Sequence, residues 1–297
     1  MKILKRTLLS IAALVLLVAG AAVVVYFVTS GRMSRTYEIS PRSILIPTDS
    51  ATLTEGARLA RIHCTHCHGA QLEGKRMFQD ESIGYVDAPN LTRGQGGVGT
   101  AYADIDWIRS IKHGVRPSGT PLVVMPSKEF HYLSDKDLGA IIAHIKNLPP
   151  VDNVTHGYQL SFFSHILAAF GAFGDFLAVE SIQHDVHPPA PEPGVTVAYG
   201  EYLVNTGGCR ACHGEDLAGG RDPNPQAPPS PNLTPGGPLK TWSETEFMLT
   251  LRTGFTPDKR PLQDVFMPWT SFSNFNDDEL RAIWMYLRAQ PALATKD

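Results

Sequence analysis

The run from Thr7 to Val28 is apolar almost without interruption, and Lys2, Lys5 and Arg6 precede it. As a helix it would span roughly 33 Å, enough to cross a bilayer core. It predicts a single transmembrane helix in an N-terminal anchor covering residues 1–35. Ala19-Gly20-Ala21 resembles a signal-peptidase site, but cleavage there would leave the greasy stretch Val23–Val28 as a new N-terminus. A second apolar stretch, Leu160–Val179, contains His165, Gly171, Gly174 and Asp175. No Lys or Arg occurs between Lys146 and Arg210, so this stretch lacks the cationic flanks of a span. It reads instead as a helical linker, packed between domains or lying on a membrane surface. Phe162, Ile166, Phe170 and Phe173 share one helical face. With Phe163 and Leu167 they are expected to lock the flanking domains together.

Beyond the anchor the pattern occurs twice, at a period of roughly 140 residues, which marks domain duplication rather than a solenoid. Gly56-Ala57-Arg58-Leu59 returns as Gly200-Glu201-Tyr202-Leu203, and Pro89-Asn90-Leu91-Thr92 as Pro231-Asn232-Leu233-Thr234. Trp107-Ile108 with Ile111 and Gly114 returns as Phe247-Met248 with Leu251 and Gly254. Each copy ends in an amphipathic helix announced by a cap: Ser134 with Asp137, and Asn276 with Glu279. An oxygen-bearing side chain followed three residues later by an acid satisfies amide groups of the first turn. Strand signals are sparse. The loops are long and rich in Gly and Pro, most of all Asp222–Pro238, as expected of segments that wrap a flat cofactor. The fold class is therefore mainly α, with domains at 51–150 and 196–295 and a linker at 151–195. The end of that linker, Val186–Val195, is stiffened by prolines.

Composition narrows the function. The chain has 297 residues, 43% of them hydrophobic, with a formal net charge of −3. The first fifty residues hold six bases and two acids, leaving the remainder at −7; no basic nucleic-acid surface is present. The four cysteines form two pairs, each followed at once by histidine: Cys64-Thr65-His66-Cys67-His68 and Cys209-Arg210-Ala211-Cys212-His213. This pattern attaches haem covalently, through two thioethers, with the adjacent histidine aimed at the iron. A zinc site or a redox dithiol also uses paired cysteines, but two motifs at equivalent places in a repeat, using every cysteine, favour haem. Such attachment occurs outside the cytoplasm. It therefore places the N-terminus inside and both domains in the periplasm of a bacterial inner membrane.

Met125 and Met267 are the candidate sixth ligands. Each precedes a proline, follows Pro-Leu by a few residues, and stands before the terminal helix. Met1, Met33, Met77, Met248 and Met285 are worse placed, in the first two cases by the anchor, in the third by the motif and in the others by helices. Methionine with histidine fills the iron and raises its potential, which suits electron transfer.

With these motifs the chain resembles a dihaem member of the class I cytochrome c family, similar to the membrane-attached cytochromes that serve periplasmic dehydrogenases. The resemblance implies two tandem class I cytochrome c-like domains holding two covalently bound haem c groups. It implies that the carbonyls of Pro89 and Pro231 accept a hydrogen bond from His68 and His213. Trp242 or Tyr102, and Arg116 or Arg260, can reach haem propionates or else stand as exposed loop side chains. The iron ligands are then His68, Met125, His213 and Met267, and the attachment residues Cys64, Cys67, Cys209 and Cys212. His63, His66, His113, His131 and His144 do not pair up between the copies as ligands would. His156, His165, His184 and His187 read as polar surface residues of the linker. The expected role is that of an electron carrier rather than an enzyme. It would be tethered in membrane lipid and work between a periplasmic dehydrogenase and an oxidase or soluble cytochrome. The alternatives are a dihaem redox enzyme, peroxidase-like or sulfur-compound-oxidising, and a haem-bearing subunit of a dehydrogenase complex.

Overall fold

The computed structural model describes residues 2–188, 190–221 and 227–296. Pro189 and the part of the Asp222–Pro238 loop from 222 to 226 lie outside them. The chain is mainly α, with an N-terminal apolar helix α1 (Lys2–Ser34). Among the described residues, α1 alone is long and apolar enough to cross a membrane. Leu160–Val179 is not a span: it holds the helix α7 (Phe162–Ala169), which ends where Phe170 and Gly171 leave helical geometry.

The first half contains α2 (Ser50–His63), α3 (Thr65–His68), α4 (Asp104–His113), α5 (Ser127–Phe130) and α6 (Asp135–Asn147). The second repeats them as α8 (Val197–Thr206), α9 (Cys209–His213), α10 (Glu244–Thr253), α11 (Trp269–Phe272) and α12 (Asp277–Ala289). Caps fix the starts. Asp49, Ser134, Thr196, Ser243 and Asn276 each accept a hydrogen bond from the backbone amide three residues on, satisfying a donor the helix cannot. In each half the first helix crosses the last. Gly56 and Gly200 sit at the crossings, where a Cβ would lie 2.0 Å from the carbonyl oxygen of Ala140 or Ala282. The backbones touch there, and only glycine permits it.

The sparse strand content includes a three-stranded antiparallel sheet that pattern reading does not locate. It consists of β1 (Lys75–Asp80), β2 (Gly84–Ala88) and β3 (Tyr158–Leu160), with β2 in the middle. β1 is exposed along its whole length, so its side chains carry no in–out alternation to be read. The turn between β1 and β2 anchors α7: Ser161 N and Ser164 Oγ donate to Ile83 O, and Ser161 Oγ donates to Ser82 O.

Three of the linker's aromatic residues do not pack between the domains, contrary to the expectation from their spacing, although Phe173 packs in one cluster with Val123, and Lys128 pairs with both Asp175 of the linker and Glu215 of the second half. Phe162, Phe163 and Phe170 are exposed, and α7 packs along α1, where Phe162 stacks on Tyr26 at 5.2 Å. The reason is chemical. The polar residues Ser161, Ser164 and His165 are used against the protein, so the aromatic face turns outward. The halves instead close on each other directly, through reciprocal contacts. Arg58 of α2 bonds Glu279 of α12 at 2.7 Å, and Tyr202 of α8 bonds Asp137 of α6. Arg58 and Tyr202 occupy equivalent positions in the repeat, as do Asp137 and Glu279, so one contact is used twice with the partners exchanged. A single hydrophobic core runs through both halves.

Nor are His165 and His184 surface residues. His165 is buried against Tyr26, and His184 Nδ1 lies 2.9 Å from Nδ1 of the buried His113. Buried His131 completes the cluster by bonding Val186 O at 2.7 Å.

Candidate haem sites

The first Cys-x-x-Cys-His turn grows directly out of α2, whereas Gly207 and left-handed Gly208 (φ 70°) separate α8 from the second. Cys64 N bonds Ala60 O, and His68 N bonds Cys64 O, so both thiols and the imidazole emerge from consecutive turns. Cys64, Cys67 and Cys209 are half-buried and Cys212 is exposed. Burial pushes the Cys64 and Cys209 thiols up to about 12. They are neutral thiols at neutral pH, unlike the low-pKa thiolate of a redox dithiol. No cluster of three or more His, Cys, Asp or Glu suited to a metal ion occurs among the described residues.

His68 and His213 are buried, and burial holds both below the ordinary histidine range, opposed by a carbonyl hydrogen bond. Nδ1 of His68 donates to Pro89 O at 2.9 Å, and Nδ1 of His213 donates to Pro231 O at 2.7 Å. This assigns the proton to Nδ1 and leaves the lone pair on Nε2, the arrangement an iron ligand needs.

The prolines are aimed by their neighbours. Asn90 donates through Nδ2 to Val151 O and accepts from Thr92 N; Asn232 does the same with Leu293 O and Thr234 N. Each staple ties the proline loop to the chain just beyond the terminal helix. Leu91 N and Leu233 N bond the carbonyls of Leu72 and Leu217. Those two leucines are fully buried at φ of 57° and 61°, a left-handed conformation that costs a non-glycine residue about 1–3 kcal/mol. The strain recurs at the same place in each half, four residues after the histidine. Sequence reasoning passed over both the leucines and the asparagines, although Gly-x-x-Leu follows each motif and Asn stands in each Pro-Asn-Leu-Thr.

Met125 and Met267 are partly buried against the core. The proline after each takes nearly the same conformation, φ −79°, ψ 56° at Pro126 and φ −74°, ψ 61° at Pro268, and opens a four-residue helix. Of the residues considered for propionates, Tyr102 packs on Trp107 at 4.9 Å and Arg116 bonds Pro121 O within its own loop. Trp242 packs against the core, and Arg260 is exposed. Trp107 Nε1 is a buried donor without a hydrogen-bond partner, and a carboxylate would satisfy it. Oriented imidazoles, neutral thiols and this orphaned donor fit the haem group.

The fold and the paired motifs define a c-type cytochrome. Residues 51–145 match the family model of cytochrome c oxidase, cbb3-type, subunit III, and residues 197–291 match that of cytochrome c. The chain belongs to the dihaem c-type cytochromes, and its cofactors are two haem c groups. It is 28% identical over 271 residues to the alcohol dehydrogenase (quinone) cytochrome c subunit of Gluconacetobacter polyoxogenes, covering 82% of this chain and 57% of that one. The corresponding subunit of Gluconobacter oxydans is 28% identical over 274 residues, covering 82% and 56%. A nicotinate dehydrogenase component of Pseudomonas putida is 31% identical over 142 residues, covering 43% of this chain and 12% of that one. The chain thus spans a little over half the length of the cytochrome subunits it matches.

Proposed function

We propose that this chain is the membrane-tethered electron carrier of a periplasmic dehydrogenase, with no catalytic step of its own. The observation that carries the reading is the duplicated histidine–carbonyl pair, His68–Pro89 and His213–Pro231, behind two Cys-x-x-Cys-His turns. Each haem, when bound, supplies a one-electron redox centre. The chain's own residues fix it: Cys64 and Cys67, or Cys209 and Cys212, hold it covalently, and the histidine is kept in one tautomer. Met125 and Met267 would hold the iron together with the histidines, and an iron so filled would exclude water and substrate. Residues 51–150 and 196–295 are the two redox domains, 151–195 joins them, and 1–35 anchors them. α1 crosses the inner membrane once, with the haem domains on the periplasmic side.

The similarity to cytochrome subunits of quinone alcohol dehydrogenases supports a dehydrogenase as donor, with an oxidase or soluble cytochrome downstream. The test is haem counting on the full chain. Pyridine haemochrome should give two haems per polypeptide and a haem-stained band on a denaturing gel, and Cys64→Ala with Cys67→Ala should give one. A wild-type count of one would remove the dihaem reading.

A further inference from the structure

α7 presents its chemistry inside out. Its buried residues are Ser164, His165 and Ala168, while Phe162, Phe163 and Phe170 are 48%, 53% and 80% exposed. The inward polar groups are satisfied: Ser164 bonds the β1–β2 turn, and His165 Nδ1 bonds Ser161 O at 2.8 Å. Exposed aromatics clustered on one short segment mark a surface that something apolar covers. Its position says what. Phe162 stacks on Tyr26, and the His165 ring lies 4.6 Å from the same tyrosine. Tyr26 stands within one turn of the end of the apolar run at Val28. Just above it, Thr29 and Met33 are already buried, the latter with Phe176 and Leu177 of the linker. The aromatic face of α7 is therefore continuous with the exposed apolar surface of α1, at the level where a bilayer meets water.

We infer that α7 is a second membrane contact, an interfacial element whose Phe162, Phe163 and Phe170 enter the outer headgroup–acyl boundary beside α1. The inference rests on the reading of α1 as a bilayer-spanning anchor. Phenylalanine on the apolar face of an interfacial helix buries into that boundary. No Lys or Arg lies between Lys146 and Arg210, so the contact is apolar and needs no anionic lipid. Two contacts, α1 and α7, would fix the tilt of the first redox domain over the membrane, where a single helix would let it swivel.

The test places the full-length holoprotein in nanodiscs of zwitterionic phosphatidylcholine doped with a phospholipid carrying a photoactivatable diazirine in its acyl chain. Labelled peptides are then mapped by mass spectrometry. The expected result is labelling of α1 and of 162–170. In the Phe163→Asp/Phe170→Asp variant the label should be lost from 162–170 while α1 labelling and haem content stay as in the wild type. Label on α1 alone would overturn the lipid contact and leave the face to a protein partner. Label on 162–170 that survives the double substitution would also overturn it. Label on neither segment would mean that the anchor reading has failed, and the inference with it.

Discussion

His113 Nδ1 and His184 Nδ1 face each other at 2.9 Å, so one nitrogen donates the proton and the other accepts it. Burial, His184, His131, Lys112 and His187 together push His113 down to about 3. The sign of the pH effect follows. Below about 6.5 the unfolded chain takes up a proton on this residue, whereas the folded chain refuses it until about 3. Stability is therefore complete above that window and declines as pH falls through it, by at most about 1.4 kcal/mol per pH unit. Melting temperature measured from pH 7 to 4 should fall less steeply in His113→Gln than in the wild type. Parallel curves would show that the cluster is not what acid attacks. Sequence alone could not find this cluster, because His113 and His184 are 71 residues apart and in different segments. The haem-attachment motifs were legible for the opposite reason: attachment chemistry demands a fixed local spacing, so Cys64, Cys67 and His68 stand together in the sequence.

At the scale of elements, the capped starts of α6 and α12 and the paired helices of each half were legible from periodicity and caps. The exposed hairpin strand β1 and the orientation of α7 were not. Spacing shows that Phe162, Ile166 and Phe170 share a face, but not which face a helix buries. That was decided by Ser161 and Ser164 finding partners in a turn some eighty residues away. The glycines at the helix crossings carry a prediction. Gly200→Val places side-chain atoms where Ala282 O already lies, so α8 and α12 must separate. A cost of about 1–3 kcal/mol or more is expected, as for overpacked cores, read as a lowered melting temperature. An unchanged melting temperature would show that the crossing is loose.

The whole molecule is built by repeating one unit and closing the two copies on each other. The Arg58–Glu279 and Tyr202–Asp137 contacts use equivalent positions with the partners exchanged, and Glu55 and Glu279 hold the Arg58 guanidinium firmly charged despite its burial. Neither contact was legible beforehand, since Asp137 and Glu279 also read as ordinary capping acids. Fixed geometry between two redox centres is what a relay requires, and here the domains' own helices supply it. A carrier also needs both irons closed to substrate, and an enzyme needs one open. The measurement that separates them most directly is the near-infrared magnetic circular dichroism of the oxidised full-length protein, normalised to haem. Full intensity of the sulfur-to-iron band at two low-spin haems per chain is predicted, with Met125→Ala and Met267→Ala each removing half. A band worth only one haem, or a high-spin signal in the wild type, would contradict the account.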